Sequence, residues 1–154
     1  MTKFVYFLGI VLTIAGFLSN PVAAQTLSDC DDWRSSAFSI AEPWEANTKL
    51  YAADSVRLAI TDVGEPVMGS YRLLILSTTV EEPIERLCTV MSLDDDLGFA
   101  GLSFAGATDI IDPKTGLTIS IPAKRWLAAT DTYQDAVLTV TLDATTGAVL
   151  GKLD

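Results

Sequence analysis

The chain has 154 residues, with 20 Asp and Glu, 10 Lys and Arg and no His, and its formal charge is -10. The absence of His excludes Ser-His-Asp and Cys-His catalysis and metal sites built on imidazole, and two Cys are too few for a zinc ribbon or an iron–sulfur cluster. The negative charge argues against binding to nucleic acid or to an anionic membrane surface.

The first 24 residues have the pattern of a secretory signal peptide. Lys3 is a short positive region, Phe4 to Leu18 carries no charge, and Val22-Ala23-Ala24 precedes a cleavage point. The uncharged run is shorter than the ~20 residues that the alternative, a retained membrane anchor, needs. The sequence therefore predicts a cleaved signal peptide at 1–24, a periplasmic or secreted product, and no stable membrane insertion after cleavage.

The remaining residues, 25–154, predict one mature domain. Lys3 leaves with the leader, so nine cations stand against 20 acids and the charge becomes -11. Leu, Ile, Val and Phe are frequent enough to form one hydrophobic core.

The mature sequence contains a single pair of cysteines, Cys30 and Cys88. An exported chain with one such pair usually joins it, and the closed loop would contribute about 4 kcal/mol on the chain-entropy model. Three acids flank Cys30, which opposes the low thiol pKa of a redox pair. We therefore expect a structural disulfide.

After Cys30 the sequence predicts one short helix followed by strands. Asp32 to Ile40 spans two helical turns, with Asp31 or Asp32 as N-cap and Pro43 beyond the end. From Ser55 onward apolar residues recur at every second position, the period of a half-buried strand. The predicted strands are Ser55–Thr61, Tyr71–Ser77, Arg86–Leu93, a bent strand within Phe99–Gly106, Leu117–Ile121, Leu138–Leu142 and Val149–Leu153.

Two turns with the signature D-x-x-T-G join strands in the second half. They are Asp112–Gly116 and Asp143–Gly147, in which Gly supplies the positive φ of a hairpin turn. The spacing of about seven or eight short strands predicts a mainly β fold, a single antiparallel sandwich or small barrel with one short N-terminal helix. The alternative is an α+β fold with that helix on one face of an antiparallel sheet.

Carboxylates are the remaining catalytic candidates. A glycosidase needs an acid and a base in a pocket that shifts a pKa, and the sequence indicates no such pocket. The acids close enough in sequence to pair are Glu81, Glu82 and Glu85, and Glu42 and Glu45.

Calcium is the one ion left to consider. The run Asp94-Asp95-Asp96 lacks the alternating acids and the final Glu of an EF-hand loop. We therefore expect no metal and no cofactor.

One basic cluster stands out in the mature sequence, Lys124-Arg125-Trp126. The segment from Pro122 to about Gln134 predicts a connection longer than a tight hairpin, and loops on a rigid sheet often carry Trp and Arg contacts. These three residues and Trp44 are the candidate binding residues. The alternative is that both tryptophans pack against the core while the cations pair with acids.

These observations favour a binding protein over an enzyme. The leading hypothesis is a small, acidic, exported domain that binds a basic protein, such as a lysozyme, or an envelope component. The alternatives are a small-ligand carrier and a carboxylate-based hydrolase. Facing carboxylates in a deep pocket would favour the hydrolase, a large apolar cavity the carrier, and a filled core with an exposed aromatic patch the binding domain.

Overall fold

The chain forms two antiparallel sheets that pack face to face. The computed structural model describes residues 25–82, 84–113 and 115–154, so the predicted signal peptide at 1–24 lies outside the described residues. The strands of the described ranges are β1 (Thr26–Asp29), β2 (Thr48–Tyr51), β3 (Val56–Asp62), β4 (Tyr71–Ser77), β5 (Leu87–Ser92), β6 (Gly101–Leu102), β7 (Thr108–Asp112), β8 (Gly116–Leu127), β9 (Thr132–Leu142) and β10 (Val149–Leu153). The first sheet has the order β1-β5-β4-β3-β2 and the second β10-β9-β8-β6, with β7 also pairing β8.

Alternate side chains from both sheets fill the space between them. In β8, for example, Ile119 and Ile121 are fully buried and Ser120 between them is not, as a strand with one core face requires. The main core cluster comprises Tyr51, Val56, Leu58, Ile60, Leu73, Ile75, Met91, Phe99, Leu102, Phe104, Leu117, Ile119, Ile121, Ala123, Leu138, Val140, Leu142 and Val149. The predicted mainly β sandwich is therefore confirmed.

Both D-x-x-T-G segments join antiparallel strands, as predicted: the first joins β7 to β8 and the second joins β9 to β10. Gly116 and Gly147 have φ of 96° and 71°. In the second turn one carboxylate oxygen of Asp143 accepts hydrogen bonds from the backbone N–H groups of Thr145 (2.9 Å) and Thr146 (2.7 Å). These bonds hold the pKa of Asp143 below its ordinary value.

The predicted single helix over Asp32–Ile40 is wrong. The segment forms two separate 3-10 turns, Trp33–Ser35 and Ala37–Ser39. Asp32 caps the first turn as expected, but Ser36 between them is extended and its hydroxyl accepts from the Phe38 N–H, which starts a second turn. The one α-helical turn of the described residues, α1 (Trp44–Asn47), begins after Pro43.

The long connection predicted between Pro122 and Gln134 is also wrong. Strands β8 and β9 stay paired as far as Leu127 and Thr132, which leaves a short loop at 128–131. Proline lacks the N–H that a strand residue donates to its ladder. In the fold, Pro122 lies between the stretches of β8 that pair with β7 and with β6, so the missing donor falls at a break in that ladder.

The N-terminal segment covers part of the outer face of the first sheet. Ala59, Leu74 and Val90 form a second buried cluster there, and Cys30, Ile40 and Cys88 pack against it. Cys30 and Cys88 are joined in a disulfide, as predicted. The bond fastens the segment to β5. Among the described residues, no helix has the length and apolarity needed to cross a membrane.

Arg72 lies on the same outer face and is only 2% exposed. Its guanidinium donates to the carbonyl oxygens of Ser70 and Asp96, both at 3.3 Å, and lies 5.5 Å from the ring centre of Trp33. Burial lowers the pKa of Arg72, and the charge of Arg34 lowers it further. Arg72 thus joins the first 3-10 turn and the loop before Gly98 to the sheet.

Replacing Cys30 and Cys88 with Ala should destabilise the domain. The disulfide closes a loop between residues 58 positions apart, and losing that constraint should lower the free energy of unfolding by about 4 kcal/mol. Urea unfolding monitored by circular dichroism would measure the difference. Reductant should produce a similar loss in the unmodified protein and none in the double variant. If the unmodified protein had the same unfolding midpoint with and without reductant, this expectation would be contradicted.

Candidate functional site

The β8–β9 hairpin extends beyond the core. Strand β8 contributes core side chains as far as Ala123, and none of residues 124–135 is buried. The hairpin is nevertheless held by backbone pairing of residues 124–127 with residues 132–135. The predicted residues Lys124, Arg125 and Trp126 therefore lie on a projecting paired strand.

Each of these three side chains meets the residue opposite it on β9. The Nζ of Lys124 lies 3.4 Å from a carboxylate oxygen of Asp135, and the Nε of Arg125 donates to the amide oxygen of Gln134 at 2.8 Å. The Trp126 ring packs on Tyr133, with the ring centres 5.0 Å apart and the planes inclined by 59°. Such cross-strand pairs contribute roughly 0.2–1 kcal/mol each. Because side chains alternate between the two faces of a strand, Lys124, Trp126 and Tyr133 share one face of the hairpin, and Arg125 with Gln134 lies on the other. We call the three side chains Lys124, Trp126 and Tyr133 the hairpin patch.

The hairpin patch is locally balanced in charge. Asp135 faces Lys124, and Asp131 lies in the loop at the end of the hairpin with a positive φ of 55°. Two cations and two acids therefore occupy residues 124–135 of a chain that has twice as many acids as bases. The surface around the half-buried Trp126 and the exposed Tyr133 therefore lacks the excess of negative charge found in the chain as a whole.

Trp44 lies apart from the hairpin patch in the sheet order. It is the first residue of α1, which packs beside β2 and β3 of the first sheet. Its side chain is 48% exposed, so it does not pack into the sheet beside the disulfide. The structure therefore places three of the four predicted binding residues on one hairpin, with Lys124 and Trp126 on one face and Arg125 on the other, and leaves Trp44 on another element.

Sequence reasoning missed Tyr133. The sequence predicts a connection around it, whereas in the structure the outward positions Tyr133, Asp135 and Val137 continue the alternation of β9. Extending that period backwards from Leu138 would have indicated a strand. The pairing of Tyr133 with Trp126 depends on the register and is visible only in the fold.

The candidate acids on the β4–β5 connection border an open groove. Glu81, Glu82 and Glu85 line it together with Thr145 and Thr146, and its volume is about 440 Å³. A hydrogen bond to Glu85 and the negative charge of that residue raise the pKa of Glu82. All three carboxylates are exposed, so the groove lacks the enclosed environment that a glycosidase acid needs.

The other acidic candidates serve local structure or face solvent. One carboxylate oxygen of Asp94 accepts from the N–H groups of Asp96 (3.0 Å) and Leu97 (2.6 Å), so it caps the turn of the acidic run. Glu42 is exposed just before α1, and Glu45 is exposed within it. Within the described ranges, no group of three or more Cys, Asp or Glu side chains is arranged to hold a metal ion.

A more apolar pocket of about 420 Å³ lies at the end of the sandwich that is opposite the hairpin patch. Val56, Leu117 and Leu142 line its base, and Val80 and Ile111 are exposed at its opening. The pocket is a recess between loops at the end of the two sheets. The side chains of the main cluster fill the space between the sheets themselves.

Comparison of the chain with protein-family models, curated proteins and solved structures finds no match. The function is therefore inferred from the residues and their geometry alone.

Replacing Glu85 with Gln should lower the pKa of Glu82 to its ordinary value or below. The negative partner raises that pKa now, and a neutral amide would remove the repulsion. A carboxyl group with a raised folded-state pKa stabilises the fold below its unfolded pKa, and this stabilisation is lost as pH rises through the folded pKa. NMR titration of the side-chain carboxyl carbons would measure the change. Glu81→Gln is the matched control and should leave the pKa of Glu82 raised. An ordinary pKa for Glu82 in the unmodified protein would contradict the interpretation.

Proposed function

We propose that this protein is a non-enzymatic binding domain, periplasmic or secreted, that attaches to a basic partner protein or envelope component through the hairpin patch. The observation that carries the proposal is a Trp–Tyr pair on a projecting hairpin, in which Trp126 is half-buried and Tyr133 is exposed. Tyr133 is 54% exposed, and aromatic side chains of this kind supply much of the energy in protein interfaces because they bury large areas at little entropic cost.

The filled interior supports a binding domain over the two alternatives. Core side chains of both sheets leave the space between them occupied, whereas a carrier of the barrel type holds its ligand inside. A hydrolase would need facing carboxylates in an enclosed cleft, and the groove beside Glu82 is open to solvent. The recess at the sandwich end favours a small-ligand carrier as the second candidate, because its volume lies within the range of ligand pockets.

The charge of the surface supports a basic partner. The chain has 20 acids and 10 bases, and the ion pairs within the described ranges include those of Asp32, Asp135 and Asp154. The surplus carboxylates therefore act as a long-range negative field, which speeds the approach of a positively charged protein. The balanced hairpin patch then supplies contact area without a local excess of charge.

Two observations support export. Residues 1–24 have the composition of a signal peptide. The Cys30–Cys88 disulfide is consistent with a location outside the reducing cytoplasm.

Replacing both Trp126 and Tyr133 with Ala should weaken partner binding by about tenfold or more, because truncation of a central aromatic contact removes most of its buried area. Purified protein immobilised with its disulfide intact would be exposed to an envelope extract at low salt. The partner retained by the unmodified protein would then be purified and its affinity measured for each variant. Added salt should slow association.

Phe38→Ala is the matched control. Phe38 is 97% exposed and belongs to the N-terminal segment on the first sheet, so its removal should leave the affinity unchanged. The proposal would be contradicted if the immobilised protein retained no partner at low salt. It would also be contradicted if Phe38→Ala lost as much affinity as the variant without Trp126 and Tyr133.

A further inference from the structure

Two arginines approach one spot on the outer face of the first sheet. Arg57 of β3 lies opposite Leu76 of β4, and Leu76 lies opposite Cys88 of β5. Arg86 directly precedes β5, and continuation of the register places it opposite Thr78. Because adjacent strands are about 4.8 Å apart, two long side chains on either side of β4 can reach the same ligand.

A pocket of about 350 Å³ lies between these arginines. Leu76 and Ile84 contribute apolar surface to its lining, and Thr78 contributes a hydroxyl group. The backbone N–H of Thr78 donates to the carbonyl oxygen of Ser55 at 3.1 Å, which holds this part of the wall in place. The N-terminal segment covers the cluster around Leu74, farther along the same face.

Within the part of the chain that the structure describes, neither arginine has a side-chain partner. No ion pair or side-chain hydrogen bond among the described residues involves Arg57 or Arg86. This is unusual for a chain with twice as many acids as bases. Asp54 lines the same pocket and still forms no ion pair with either guanidinium. Two unpaired positive groups therefore face one recess on an otherwise acidic surface.

We propose that this pocket binds a phosphate monoester, with the phosphate group between Arg57 and Arg86 and the organic part against Leu76 and Ile84. A guanidinium donates two parallel hydrogen bonds to an oxyanion. A carboxylate offers one such pair of oxygens, whereas a tetrahedral phosphate presents oxygens to donors on two sides. Its charge of about -2 at neutral pH also matches two arginines.

This site is independent of the proposed partner binding. The hairpin patch lies near the beginning of β4. There Tyr71 pairs with Phe99, and the Ala100 N–H donates to the backbone carbonyl oxygen of Lys124. The arginine pocket lies at the end of β4, beside Ser77 and Thr78. A soluble ester is the expected ligand, because a chain of charge -10 is repelled by anionic lipid surfaces.

Titration of the isotopically labelled protein with glycerol 3-phosphate, at constant ionic strength set by chloride, tests the proposal. Saturable NMR shifts are expected at Arg57, Arg86 and Thr78. Arg57→Gln and Arg86→Gln should each weaken binding by about tenfold, since a charge-assisted bidentate contact is lost, and the double variant should not bind. Asp54→Asn should bind more tightly because it removes a negative charge beside the phosphate.

Lys152→Gln is the control, because it removes one positive charge from the second sheet and should leave binding unchanged. Vesicles of phosphatidic acid in phosphatidylcholine form a second arm. If the protein binds glycerol 3-phosphate and not the vesicles, the pocket binds a soluble phosphate ester, as expected. If it binds the vesicles and the double arginine variant does not, the pocket binds a lipid phosphate. The proposal is overturned if the NMR shifts do not saturate and are no larger than those that chloride causes. It is also overturned if the double arginine variant binds as well as the unmodified protein.

Discussion

The pairing of β8 along both of its edges is the constraint on which the rest of the structure depends. Strand β9 follows one edge over the whole paired length, and β7 and β6 share the other. Because side chains alternate between the two faces, a slip of one residue would turn Ile119 and Ile121 outward. It would also move Trp126 to the opposite face and away from Tyr133. Burial in the middle of the strand therefore fixes the geometry of its exposed end.

Much of the fold could be predicted from the sequence, and the exceptions have physical causes. The strands with a clear period of two, the D-x-x-T-G turns and the cysteine pair follow from local pattern and composition. Strands β1 and β2 are absent from the sequence prediction because four residues carry too little periodicity, and β7 is absent because it is exposed at every position and shows no alternation. A single helix over Asp32–Ile40 does not form because Ser36 offers a local hydrogen bond that competes with helix continuation. Trp126 could be selected from composition, whereas Tyr133, Arg57 and Arg86 acquire their meaning only from strand register.

The arginines show how an acidic surface can leave positive groups available. Arg34 binds Asp32, and that contact lowers the pKa of Asp32. Arg72 is buried against Trp33 and backbone carbonyl oxygens, an arrangement that offsets part of the cost of removing a charge from water. Arg57 and Arg86 have neither kind of compensation and remain solvated. Packing therefore decides which arginines have partners and which stay available. The acids of the surface do not pair with every positive group.

The positions of the three tryptophans have a spectroscopic consequence. None of them belongs to the cluster between the sheets: Trp33 is on the first 3-10 turn, Trp44 on α1 and Trp126 on the projecting hairpin. Intrinsic fluorescence of the protein therefore reports on three surface elements, and the sandwich interior contributes through tyrosine alone. The emission of Trp33 follows the docking of the N-terminal segment on Arg72, whereas that of Trp126 follows the environment of the hairpin. Single-tryptophan versions of the chain would thus separate loosening of the N-terminal segment from events at the far end of the second sheet.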